Sequence, residues 1–310
     1  MDGKTALRAM LRALNESGFS NSYLNRQEAF SKLDEAAVDF ARRTLCLTGS
    51  VVLSMVEGQQ AYDLPPDFIR LSARNSRRLF FGIFEDPAGN KSYPVQTSFE
   101  KIRRFEHTEV EIPGAFAIID KQARPDLVTG AASETSSAGS DGESTLTDEG
   151  WNFNPAAEFL GAVYPRDIVH NKDQETDGVV LAVVSDTELV TALFDSDGNP
   201  GGWNGGNDYT ILPTARNQIY LPAPIAESGG TLTLDYICLP GPVWSDYSLW
   251  RFQPMSCHAI CKEAAALFLD QQKEWDVARG LHGEFAREIH QASRETAQKS
   301  LQQGRRYATR

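Results

Sequence analysis

The chain has 310 residues, 41% of them hydrophobic and 23% charged, with a formal net charge of −12. That is enough apolar material for a large core and about two domains, which excludes a disordered or collagen-like chain. No run approaches the roughly 18 apolar residues of a membrane span, and the opening segment, with Arg8 and Arg12 inside its apolar stripe, does not read as a secretion signal. The acidity is local: 17 Asp and Glu against 4 Lys and Arg lie between Asp120 and Leu212, leaving the remainder close to neutral.

Residues 1–48 read as two helices. Leu7, Met10, Leu11 and Leu14 recur at helical spacing, as do Phe30, Leu33, Ala37, Phe40 and Ala41, and Asn25 with Glu28 three residues on forms a capping box for the second helix. From Gly49 the period changes to two, so residues 49–120 read as the first part of a β-domain, with a short helix opened by Thr97 or Ser98. Within it, Leu64-Pro65-Pro66 belongs in neither a helix nor a central strand, because proline fixes φ and carries no N–H. It predicts a rigid corner in which Tyr62 and Leu64 share a face, Phe68 packs back over the turn and Asp67 bonds a nearby backbone N–H. A structural corner and a direct partner contact both fit these residues.

Residues 121–150, Ser/Gly-rich and acidic with few groups to bury, are expected to be a linker, and residues 151–213 a small inserted β-module. Residues 214–253 resume the β-domain, with Glu227 to Gly230 read as a hairpin turn. The strands "AFAIID" and "NQIYLPAPI" should then be neighbours whose connection the insert interrupts, and joining Asp120 directly to Thr214 should leave the remainder folded. Residues 254–303 are helical: Cys257, Ile260, Cys261, Ala264, Leu267 and Phe268 form one apolar face, and Trp275, Ala278, Leu281, Phe285 and Ile289 another, with Gly280 and Gly283 as breaks or kinks. Residues 304–310 form a basic tail after a helix end at Gly304. The fold class is α+β: a helical bundle from both termini around a central antiparallel β-domain, carrying an inserted all-β module.

Catalytic signatures are missing. There is no phosphate-binding loop, dinucleotide fingerprint, nucleophile elbow or H-E-x-x-H, so no enzymatic activity, cofactor or metal is expected. Cys257, His258 and Cys261 suggest half a zinc site, but the two thiols fall on the apolar stripe and favour core packing. Four cysteines without a dense framework predict thiols rather than disulfides. The stretch "DSDGNPGGWNGGND" lacks the twelfth-position glutamate of a calcium loop and the cations of a phosphate cradle, and is read as a glycine-rich turn.

The element order, the corner "GQQAYDLPPDF", the strand "IYLPAP" followed by "LTLDY", and the paired terminal helices resemble the head-to-tail adaptor, or connector, proteins of tailed bacteriophages, over roughly residues 5–120 and 214–300. The insert is similar to a small β-module of phage structural proteins. The resemblance implies a structural virion protein of the neck, formed in the host cytoplasm. It implies a homo-oligomeric ring, usually of twelve copies, joining the portal protein to a tail or nozzle protein while DNA passes non-specifically through the channel, with no membrane partner. It also implies that the C-terminal segment reaches the portal. Lys299, Arg305, Arg306, Tyr307 and Arg310 would then dock there, in an arm from about Gln298 that is disordered alone; the competing reading is a solvated end. A second functional reading is a carbohydrate- or surface-binding β-module of a tail structure, for which Trp151 and Trp203 would have to be exposed.

Overall fold

The computed structural model describes residues 1–15, 24–72, 82–103, 113–119, 127–139, 142–153 and 163–306, with backbone alone for 299–306. The fold is mixed α+β, with helices at both ends of the sequence and largely antiparallel sheets between them. Helix α1 (Gly3–Ala13) opens at Asp2, whose carboxylate accepts the Thr5 N–H at 2.7 Å. Helix α2 (Arg26–Thr44) opens at Asn25, whose side-chain oxygen accepts the Glu28 N–H at 2.7 Å, the cap read from the sequence, and closes on Leu45 in the left-handed region. There follow β1 (Thr48–Ser54), β2 (Ala61–Asp63), β3 (Phe68–Leu71), β4 (Gly82–Glu85), β5 (Lys91–Ser92), β6 (Val95–Gln96), the short α3 (Phe99–Arg103) and β7 (Ala115–Ile119). Next come β8 (Val128–Ala131), β9 (Glu143–Thr147), β10 (Ile168–Asn171), β11 (Thr176–Val183), β12 (Glu188–Phe194), β13 (Pro200–Gly201) and β14 (Asp208–Leu212). Strands β15 (Gln218–Tyr220) and β16 (Thr231–Cys238) precede α4 (Pro254–Gln271) and α5 (Trp275–Arg306).

The chain forms two compact units, each assembled from three segments. One unit comprises Cys46–Arg124, Ala215–Leu239 and Thr296–Arg310. It holds two sheets, one ordered β1-β16-β4-β5 with β3 also on β16, the other β2-β15-β7-β6. Strands β7 and β15 pair antiparallel with Ile119 opposite Gln218, so the strands on either side of the long insertion are neighbours. Met55, Tyr62, Leu64, Phe68, Phe84, Phe116, Ile219 and Leu232 form its core. Glu227 to Gly230 is not a hairpin turn, because β15 and β16 lie in different sheets. Both sides of β15 are taken by β2 and β7, and those of β16 by β1 and by β3 with β4. Gly229, at φ 104, instead donates its N–H to the Met55 carbonyl at 3.2 Å as the chain crosses between sheets.

The other unit comprises Met1–Leu45, Pro125–Thr214 and Pro240–Glu295. Helices α1 and α2 pack on α4 and on each other. Phe40 of α2 meets Phe252 edge-on, with ring centroids 5.4 Å apart, and Phe285 of α5 at 5.9 Å. Helix α5 runs on through Gly280 and Gly283, so neither breaks it; each weakens the helix by only about 1 kcal/mol relative to alanine, and Ala278 and Phe285 anchor it by burial. It also runs through Gly304 to Arg306, so the helix does not end at that glycine. Trp275, read as part of the buried face, is 61% exposed at the first turn.

The same unit contains a seven-stranded sheet, ordered β13-β12-β11-β10-β14-β8 with β9 on β12. The segment read as a linker therefore supplies β8 and β9. A strand needs an inward residue only at every second position, and here Val128 and Leu146 fill the core while hydroxyls take other inward places. Ser144 and Thr191 are buried 3.0 Å apart, and Thr191 also accepts the Trp203 indole N–H at 3.0 Å. Nor is the insert a separate bead. Arg166 pairs with Asp34 of α2, Ser245 donates its hydroxyl to Glu143, Phe194 packs against Trp244, and Gly198 sits so close to Asn25 that a Cβ there would fall 2.5 Å from the Asn25 Cγ.

Candidate functional site

The corner lies between two short strands of different sheets. Tyr62, Leu64 and Phe68 are buried together, and Pro65 and Pro66 are half-buried between β2 of one sheet and β3 of the other. The Pro65 carbonyl accepts the Phe68 N–H at 3.0 Å, and the Tyr62 hydroxyl lies 3.2 Å from the Val56 N–H. Burial pushes the Tyr62 hydroxyl pKa up. Asp67 takes the Tyr236 hydroxyl on its carboxylate at 3.0 Å and the Leu239 N–H on its carbonyl at 2.7 Å. These bonds fix a sheet-to-sheet crossing and hold no reactive group.

Lys299, Arg305 and Arg306 lie on the last turns of α5, with Lys299 and Arg306 two turns apart. Tyr307 and Arg310 lie outside the described residues. Seating of α5 on α4 is documented upstream: Lys262 pairs with Glu284, and the Ser256 hydroxyl donates to Glu288 at 3.1 Å. Beyond Glu288 the helix itself continues to Arg306.

Trp203 is buried, which corrects its reading as an exposed platform: its ring meets Tyr209 edge-on at 6.1 Å inside the sheet core. Trp151 is half-buried against the same core. In the neighbouring glycine-rich stretch, Asp195 accepts the Asp197 and Asn199 N–H groups at 2.9 and 2.8 Å and the Asn199 side-chain amide at 3.0 Å. The carboxylate is committed to its own turn, and the Asn199 bonds hold its pKa below the usual range. Cys257 and Cys261 are buried in α4, His258 is exposed, and burial pushes both thiol pKa values up. Among the described residues no three His, Cys, Asp or Glu side chains converge as metal ligands.

Sequence reasoning did not single out one ionisable cluster. His282 of α5 stands between two carboxylates of α4, its Nδ1 2.8 Å from Glu263 Oε2 and its Nε2 2.8 Å from Asp270 Oδ2. Glu263 is only 8% exposed. The available signal was Glu263 and Asp270 seven residues apart, two turns on one helical face; pairing them with His282 requires knowing how α5 folds back on α4. No family model matches the chain, and no curated protein matches it.

Proposed function

We propose that the protein is a subunit of a ring, of about twelve copies, that joins the portal to a tail or nozzle protein in the neck of a tailed bacteriophage and surrounds the passing DNA. It is a structural protein without enzymatic activity. The full reading includes a terminal-helix bundle around the sheet domain and assembly of the ring in the host cytoplasm before incorporation into the virion. Among the described residues no helix is long and apolar enough to cross a membrane, and the partners proposed are proteins and DNA.

The observation that carries this reading is α5: a 32-residue helix that has Lys299, Arg305 and Arg306 on its last turns. A preformed helix loses less conformational entropy on docking than a coil, so a basic helical arm is a better portal anchor than the disordered tail first expected. Net acidity elsewhere suits a channel, because carboxylates repel phosphates and let a duplex slide. Removing residues 298–310 tests the proposal. The truncated protein should keep its melting temperature and its ring mass while losing attachment to portal-bearing heads. Undiminished attachment refutes the docking role, and a monomeric full-length protein at assembly concentrations refutes the ring.

A further inference from the structure

We infer that the α4–α5 seam is a proton-operated clamp, in which His282 held between Glu263 and Asp270 fastens the two helices in its protonated state and releases them when the proton leaves. The inference rests on geometry and does not depend on the adaptor reading. Both ring nitrogens of His282 lie 2.8 Å from a carboxylate oxygen. A neutral imidazole has one N–H, so it satisfies one of those contacts and presents a lone pair to the other carboxylate. Two contacts of that length need two protons among the three groups: an imidazolium between two carboxylates, or a neutral ring facing a protonated acid.

The surroundings favour keeping the second proton. Glu263 is buried, and a buried carboxylate without a cationic partner is costly. From α2, Asp39 and Arg43 act on Glu263 in opposite senses and pair with each other at 2.9 Å, leaving His282 as its close hydrogen-bonded partner. On α4 the groups facing the ring are Glu263 and Asp270; beside them Lys262 is engaged with Glu284 of α5. Burial raises the Glu263 pKa, partly offset by the His282 bond. Burial alone would lower that of His282, but its bonds to Asp270 and Glu263 outweigh it and raise it above the ordinary 6.5.

His282 binds its proton more tightly in the folded state. Its contribution to stability is therefore fully present below pH 6.5 and disappears as pH rises through its folded-state value. Loss of the proton leaves one of the two carboxylates facing a lone pair, and this weakens the contact that holds the first half of α5.

The test uses the full chain. His282→Gln keeps a side-chain donor and acceptor but does not titrate. For the wild type, the melting temperature and the amide-exchange protection of α5 around residues 280–288, corrected for intrinsic exchange, should fall as pH is raised from 6 to 9. In His282→Gln both should change markedly less. Should that variant fail to fold, Asp270→Asn supplies the second reading: with one carboxylate removed, protection should be lost at a lower pH than in the wild type. Identical pH profiles in wild type and variant, or a His282 ring resonance that titrates at or below 6.5, overturn the clamp.

Discussion

The Arg166 guanidinium grips the Asp34 carboxylate through two contacts, of 2.6 and 2.9 Å, from a backbone held at φ 81. The same guanidinium donates to the Pro240 carbonyl at 2.8 and 3.1 Å. Asp34 in turn accepts the Val243 N–H at 3.2 Å. One side chain of the insert thus ties together α2 and the segment leading to α4, at a backbone angle that costs a non-glycine residue about 1 kcal/mol or more. Both side chains are largely shielded, at 15% and 13% exposure, so this is not a loose surface pair.

Arg166→Met should destabilise the protein by about 2 to 4 kcal/mol in urea unfolding, because Asp34 keeps its charge and loses its cation. Arg166→Lys should recover only a minor part, since an ammonium cannot reproduce the two-pronged geometry. Asp34→Asn combined with Arg166→Met should lose less than the two single changes summed.

Deletion of residues 121–213 with a short glycine closure should not leave a fully stable remainder, contrary to the simple insertion picture. The closure itself is feasible, as Ile119 and Gln218 are already paired. The helical part, however, would lose Arg166 from Asp34, Glu143 from Ser245 and Phe194 from Trp244, exposing apolar surface and an unpaired acid. Thermal unfolding followed by circular dichroism should show a melting temperature lowered by several degrees or more. An unchanged melt would mean that these contacts contribute nothing.

Thiol alkylation of the native protein should modify Cys46 first. It is exposed, whereas Cys257 and Cys261 are buried in α4 with their thiol pKa values pushed up, which lowers both access and thiolate content. Mass spectrometry of a time course at neutral pH should find the α4 pair modified only as the protein unfolds.

Much of the local structure was legible in the sequence because it depends on neighbours along the chain. Asn25 and Glu28 lie within one turn, and the two prolines after Leu64 act on their own backbone. The adjacency of β7 and β15 was legible for a longer-range reason, two matching strand runs interrupted by a segment of different composition. What escaped were features decided across space. Strands β8 and β9 look like linker until Thr191 supplies a partner for Ser144 and for Trp203. The Gly229 crossing looks like a hairpin until the neighbours of β15 and β16 are known. His282 is one of five histidines in the sequence, and only the antiparallel seating of α5 on α4 sets it between Glu263 and Asp270.

The three-segment build of the helical unit has a consequence for synthesis. Helices α1 and α2 leave the ribosome with Met10, Leu11, Phe30 and Phe40 unprotected, and the helix that covers them begins only at Pro254. At about 5 to 20 residues per second, the roughly 200 residues between them take on the order of 10 to 40 s to make. For that interval the nascent chain displays two amphipathic helices without α4 to pack on, which makes it a natural client for chaperones that bind emerging apolar segments. Yield should therefore respond to translation speed and chaperone supply more than the finished protein's stability would suggest.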